Sequence, residues 1–141
     1  MTLRSFTGYL NTALFGGEFP TVSGTFNTAT AQIQILMEDG AGDTVVEGDS
    51  DGGSTNTESS EDPQGDQFVF LQDGSGTVLA DGEEFYLELS FEFTIGGQTF
   101  TGYQFEDENG LDFTVLPPDV PDGVATVTSI DFSPSPDEVD Y

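Results

Sequence analysis

The sequence contains no cysteine, no histidine, no lysine and no tryptophan, and its only basic side chain is Arg4. Each absence removes a chemistry. Without Cys or His there is no Ser-His-Asp or Cys-His nucleophile, and no zinc or thiolate-metal site. Without Lys there is no P-loop lysine and no Schiff base. One Arg cannot build the basic surface that nucleic-acid binding requires. No disulfide can staple the fold, so cysteine is silent on compartment. Long apolar runs are also lacking. Nothing approaches the ~20 residues of a membrane-spanning helix, and M-T-L-R-S-F-T-G-Y-L lacks the apolar stretch of a secretory signal. We therefore expect export, if it occurs, to use a route that reads no N-terminal signal, or the chain to be part of a larger one.

What is present is acid. There are 27 Asp and Glu against one Arg, for a formal net charge of −26. With almost no cationic side chain, these carboxylates must be solvated, bonded to N–H or hydroxyl groups, or neutralised by cations from outside. Self-repulsion of this size disfavours the compact state, and salt relieves it, with a Debye length of about 3 Å at 1 M. The composition suits a halophilic, marine or calcium-containing medium. Aliphatics are sparse, but the chain has 13 Phe, and each ring buries a large area.

At 141 residues the chain is the size of one domain, which can bury roughly two-thirds of its unfolded surface. We read one domain over 1–132, interrupted by a polar acidic insert over 38–66, and an acidic Pro-containing tail over 133–141. The periodicity is two throughout. In E-F-Y-L-E-L-S-F-E-F-T-I (84–95), Phe85, Leu87, Leu89, Phe91, Phe93 and Ile95 alternate with mostly polar residues, the pattern of a strand with one dry face. Gly96-Gly97 then signals a two-residue hairpin turn, and Gln98 to Glu106 returns. A two-residue loop pairs Phe91 with Gly102 and Leu89 with Gln104, which turns Tyr103 and Phe105 the wrong way. A β-bulge near Gly102 would correct this; the alternative is a strand covered on both faces. Other expected strands are Leu3 to Leu10, Thr21 to Phe26, Thr30 to Met37, Gln67 to Gln72, Gly76 to Ala80, Asp112 to Leu116 and Val124 to Phe132, with Asp43 to Glu47 a weak candidate. No amphipathic helix is evident. The pattern predicts an all-β, antiparallel β-sandwich, jelly-roll-like or Ig-like, of about eight or nine strands, with a closed barrel as the alternative.

One stretch carries a metal-binding spacing. Glu47, Asp49 and Asp51 occupy positions one, three and five of a twelve-residue run, Gly52 the sixth and Glu58 the twelfth, the order in which a calcium loop supplies its oxygens. Position one is Glu rather than Asp, position eight is Ser54 rather than an aliphatic residue, and no helices flank the run. It is not an EF-hand. It reads either as a calcium loop between strands or as a solvated acidic loop. Asp73 and Asp81, each followed by Gly at an expected turn, join the candidate ligands, as does the Glu106-Asp107-Glu108-Asn109 turn; the competing reading there is ordinary turn chemistry. The expected cofactor is Ca2+. Tyr9, Tyr86, Tyr103 and Tyr141 could stack on a sugar, though the first three sit in strands and suit a core edge. Among so many acids a pair of carboxylates is no sign of glycoside hydrolysis, and we expect no enzyme.

The order of pieces resembles a known arrangement. An F-x-G-x-L run, an E/D-G-D-x-D-G acidic loop, G-G-Q-T-F, F-E-D-x-N-G-x-x-F-x-V-L-P and a closing V-T-S-I resemble the acidic β-rich module that precedes Hint (intein-like) domains in secreted proteins of marine alphaproteobacteria. The resemblance implies a secreted, calcium-dependent accessory module, exported by a C-terminal signal. The Hint domain itself is not in these residues, and its self-cleavage is not carried over. The expected function is a non-enzymatic extracellular or surface β-module stabilised by calcium, a subunit of a filament, adhesin or virion. Its expected partners are calcium and copies of itself or a larger surface assembly. A carbohydrate-binding module and an acidic DNA mimic are the alternatives. The mimic would need its acids in a stripe, whereas here they gather in turns and one loop.

Overall fold

The alternation of residues 84–95 becomes the C-terminal two-thirds of the longest strand in the molecule. The computed structural model describes residues 2–39 and 68–132. Eight strands are described: β1 (Thr2–Leu10), β2 (Thr25–Asn27), β3 (Ile33–Asp39), β4 (Phe68–Gln72), β5 (Val78–Ile95), β6 (Gln98–Asp107), β7 (Asp112–Val115) and β8 (Val124–Asp131). All pair antiparallel, in the order β2-β8-β5-β4-β3-β1-β7-β6. β5 joins the two layers of the resulting sandwich. One edge pairs β4 near its start and β8 near its end, and the other edge pairs β6. The sheet as a whole stays open at β2, although the further β5–β6 pairing links its other end back to β5.

Three expected boundaries move for physical reasons. Thr21 to Phe26 shortens to β2 because residues 21–24 form a turn: Gly24 N donates to Thr21 O at 2.8 Å, with Ser23 at φ 70°. The expected turn at Asp81-Gly82 is a bulge inside β5. Gly82, at φ 79°, is skipped as the partners step from Val69–Glu83 to Phe70–Asp81, and only glycine takes that conformation without strain. One short helix, α1 (Asn11–Phe15), appears where the sequence shows no helical period. A single turn is too short to show one. It is held by tertiary packing, with Leu14 buried and the Phe15 ring edge-on to Phe26 and Phe91 at 5.4 and 5.5 Å.

The β-bulge expected near Gly102 is absent; the alternative holds, β6 being covered on both faces, and the irregularity lies on β5 instead. Phe93 pairs Phe100, Phe91 pairs Gly102 and Leu89 pairs Gln104; Leu87 then pairs Phe105, leaving Glu88 as the extra residue. Because the side-chain period is two, one inserted residue moves everything beyond it to the other face. Phe85 and Leu87 therefore join one core with Ile35, Met37, Leu71, Phe105 and Phe113. Leu89, Phe91, Phe93 and Ile95 join a second with Leu14, Phe26, Ala125 and Val127. β6 lies between them and is buried on both faces from Gly102 to Phe105. Gly102 provides clearance: a Cβ there would stand 2.5 Å from Phe91 Cζ and 2.9 Å from Leu116 Cδ2.

Candidate metal centre

The bulge that divides the two cores also places an acid. Glu88 and Leu89 together oppose Gln104, and Gln104 Nε2 donates to Glu88 Oε1 at 2.7 Å. Further along β6, Glu106 is the register partner of Asp112 on β7, and directly paired residues share a face. A fourth acid, Glu18, arrives on the segment that follows α1. That segment is tied down by its own backbone: the Glu18 carbonyl accepts from Asn11 Nδ2 at 2.8 Å and from Gln104 Nε2 at 3.1 Å. Thr114 Oγ1 in turn donates to Asn11 Oδ1 at 2.7 Å. Asn11, Gln104 and Thr114 are all buried and form a neutral frame beneath the acids.

Within this frame Glu18, Glu88, Glu106 and Asp112 each offer one carboxylate oxygen, all within 4.8 Å of one another. Glu18 is exposed and the other three are half-buried. Four negative charges at this spacing repel strongly where water is partly excluded. The protein answers by holding protons. Burial, then the charges of Glu88 and Glu106, push the Asp112 carboxyl up to about 8. Glu88 is also raised, first by burial, against the Gln104 hydrogen bond that favours its ionised form. Two oxygens remain unserved. Gln104 Oε1 and Asp112 Oδ1 are the buried side-chain atoms with no hydrogen-bond partner among the described residues; Asp112 is one of the four acids, and Gln104 bonds another, Glu88, through its Nε2.

A pH dependence follows. The ordinary Asp value is 3.8, so Asp112 adds stability that is fully present below about pH 4 and lost as pH rises through about 8. Asp112→Asn should flatten this slope. At about pH 8 and high salt it should stabilise the ion-free protein by ~1–2 kcal/mol, allowing for the partial exposure of the carboxyl. Urea unfolding in chelator at both ends of that window measures it. Identical slopes in the two proteins would remove Asp112 as the cause.

The residues singled out in the sequence fall elsewhere. Glu47, Asp49, Asp51 and Glu58, the weak strand Asp43 to Glu47 and the tail over 133–141 lie outside the described residues. Asp73 closes its turn. Its Oδ1 accepts from Ser75 Oγ at 2.8 Å and from the backbone N–H groups of Ser75 and Thr77 at 2.9 Å, and these bonds, the Ser75 hydroxyl first, hold its carboxyl below the ordinary value. Asp81 is exposed on β5 opposite Phe70. Neither is part of the four-acid group. In the Glu106–Asn109 turn only Glu106 joins it; Asp107 is buried and accepts from the Asn109 and Leu111 N–H groups at 2.9 Å. Glu18, Glu88, Asp112 and Gln104 were not anticipated. Gln104, set between Tyr103 and Phe105, was the available signal, since a strand covered on both faces must bury that amide.

No protein-family model, no curated protein and no solved structure matches this chain. No helix among the described residues is long and apolar enough to cross a membrane.

Proposed function

We propose that this chain is a non-enzymatic extracellular or surface β-module stabilised by calcium, a structural or binding unit of a filament, adhesin or virion. The observation that carries the reading is the convergence of Glu18, Glu88, Glu106 and Asp112 within 4.8 Å in a chain whose only basic side chain is Arg4. Calcium takes six to eight hard oxygens at 2.3–2.6 Å, so ligands across its shell stand about 4.6–5.2 Å apart. An acid group of this span suits that ion. The resemblance to the acidic module preceding Hint domains supports the same class.

Thermal unfolding in millimolar calcium and then in chelator, both at high sodium chloride, tests the reading. An ion that binds only the folded state, at about 100 times its Kd, adds roughly 2.7 kcal/mol, and the midpoint should rise accordingly. No calcium-specific rise would leave only salt screening and sink it.

One observation favours carbohydrate binding as a second reading. A cleft of about 470 Å³ is lined by Phe6, Tyr9, Gln32, Pro117, Pro118 and Asp122, among others, mixing apolar and hydrogen-bonding groups as sugar sites do. Against it, Tyr9 is 5% exposed and its hydroxyl is already given to Thr28 O at 2.7 Å. Tyr103 is buried too. Neither ring offers a free face to stack on a sugar.

A further inference from the structure

We infer that a calcium-sized divalent cation binds among Glu18, Glu88, Glu106 and Asp112, takes Gln104 Oε1 as a neutral ligand, and acts as a clasp fastening residues 16–19 onto β6 and β7. This rests on the calcium-stabilised reading above and specifies where the ion sits and what it joins.

Two independent features point to a ligand. The first is the convergence of four carboxylates from four separated segments: the loop after α1, the β5 bulge, the end of β6 and the start of β7. The second is the pair of orphaned acceptors. Gln104 is 0% exposed, its amide already reaches the group through Glu88, and its Oε1 finds no donor. Asp112 Oδ1 is equally without one. Buried acceptors without donors are rare in folded proteins, and an ion or water is the usual explanation where they occur. Water could serve both oxygens but would leave the charges uncompensated; a divalent cation serves both needs. All of these donors are hard oxygens, the set that selects calcium or magnesium over softer metals. Carboxylates from one loop and three strand positions favour calcium, because magnesium demands a smaller and near-octahedral shell.

The clasp follows from where Glu18 lies. Its main chain is already held by Asn11 and Gln104, but its carboxylate is exposed and stands within 4.8 Å of three other acids. With the ion, the same side chain becomes a tether between residues 16–19 and the β6–β7 pair.

The test compares wild type with Glu18→Gln, Glu106→Gln and Asp119→Asn. Asp119 is exposed and outside the group, so Asp119→Asn removes one charge without touching the site. Glu18 is exposed, so Glu18→Gln should fold. Calcium affinity by titration calorimetry at high salt should fall roughly tenfold or more in both Glu variants and stay unchanged in Asp119→Asn. Calcium should slow amide hydrogen exchange across 16–19 in wild type by roughly tenfold or more, and Glu18→Gln should lose that protection. If wild type shows no calcium response, the calcium-stabilised reading itself fails. If wild type responds and the Glu variants respond equally, the ion binds elsewhere; the module reading survives and the clasp is overturned. An equal drop in Asp119→Asn, or an equal response to magnesium, would also overturn it, as general charge neutralisation.

Discussion

Phe91→Ala is expected to cost about 3–5 kcal/mol, a large part of the total stability of about 5–15 kcal/mol usual for a folded domain. Phe91 is 1% exposed and stands at the centre of the second core. Its ring meets Phe15 edge-on at 5.5 Å, Phe26 at 6.0 Å and Phe93 at 5.7 Å. Truncation removes the apolar area of the ring and leaves a cavity that a two-layer sheet cannot easily close. It also unseats Phe15, and with it the single helical turn that leads into Glu18. A loss of calcium affinity should therefore accompany the loss of stability, although Phe91 belongs to the second core and not to the four-acid group. Denaturant unfolding with and without calcium measures both. A cost below ~1 kcal/mol, or calcium affinity unchanged in the folded variant, would contradict this coupling between core and site.

Gly8→Ala is the second large effect, at about 3 kcal/mol, the upper end of what overpacking costs. Gly8 is buried where β1 passes from one partner to the next, opposite Ile33 of β3 and Val115 of β7 at once. A Cβ there would stand 2.6 Å from the backbone oxygen of Thr114 and would also meet the Ile35 side chain. A side-chain tip can swing aside, but a strand carbonyl cannot move without its ladder. Shrinking the other obstacle, as in Gly8→Ala with Ile35→Val, should thus rescue little. The displaced residue is Thr114, whose hydroxyl holds Asn11, so the frame under the acids should loosen as well. A measured cost under ~1 kcal/mol would mean that β1 and β7 separate freely at this point.

The strands were legible because alternation and Gly-rich turns are local signals. Gly96 and Gly97 turn with φ of 59° and 80°, as the doublet implied, and the strand on either side follows its pattern. Face was not legible. The run from Phe85 to Ile95 reads as one dry face, yet Glu88 divides it between two cores, and nothing in the alternation marks where the extra residue falls. The same blindness hid the site. By alternation Glu88 belongs to a wet face, Asp112 to a strand start and Glu18 to a glycine-rich loop. The pairing of β6 with both β5 and β7 brings Glu88 and Asp112 together, and the bonds of the Glu18 carbonyl to Asn11 and Gln104 bring in Glu18. The contiguous spacing of residues 47–58 drew notice because a calcium loop is a sequence-local motif, whereas a site built from four segments leaves no spacing to find. Glu106 stands out in the sequence only as part of a turn, not as the partner of Asp112.

A crystal structure of the calcium-loaded protein, with anomalous data to identify the ion, would show whether the cation joins these four acids. One calcium ion should be bound at 2.3–2.6 Å by carboxylate oxygens of Glu18, Glu88, Glu106 and Asp112 and by Gln104 Oε1, with residues 16–19 held against β6 and β7. Water alone among the four carboxylates, with calcium bound only elsewhere, would contradict it.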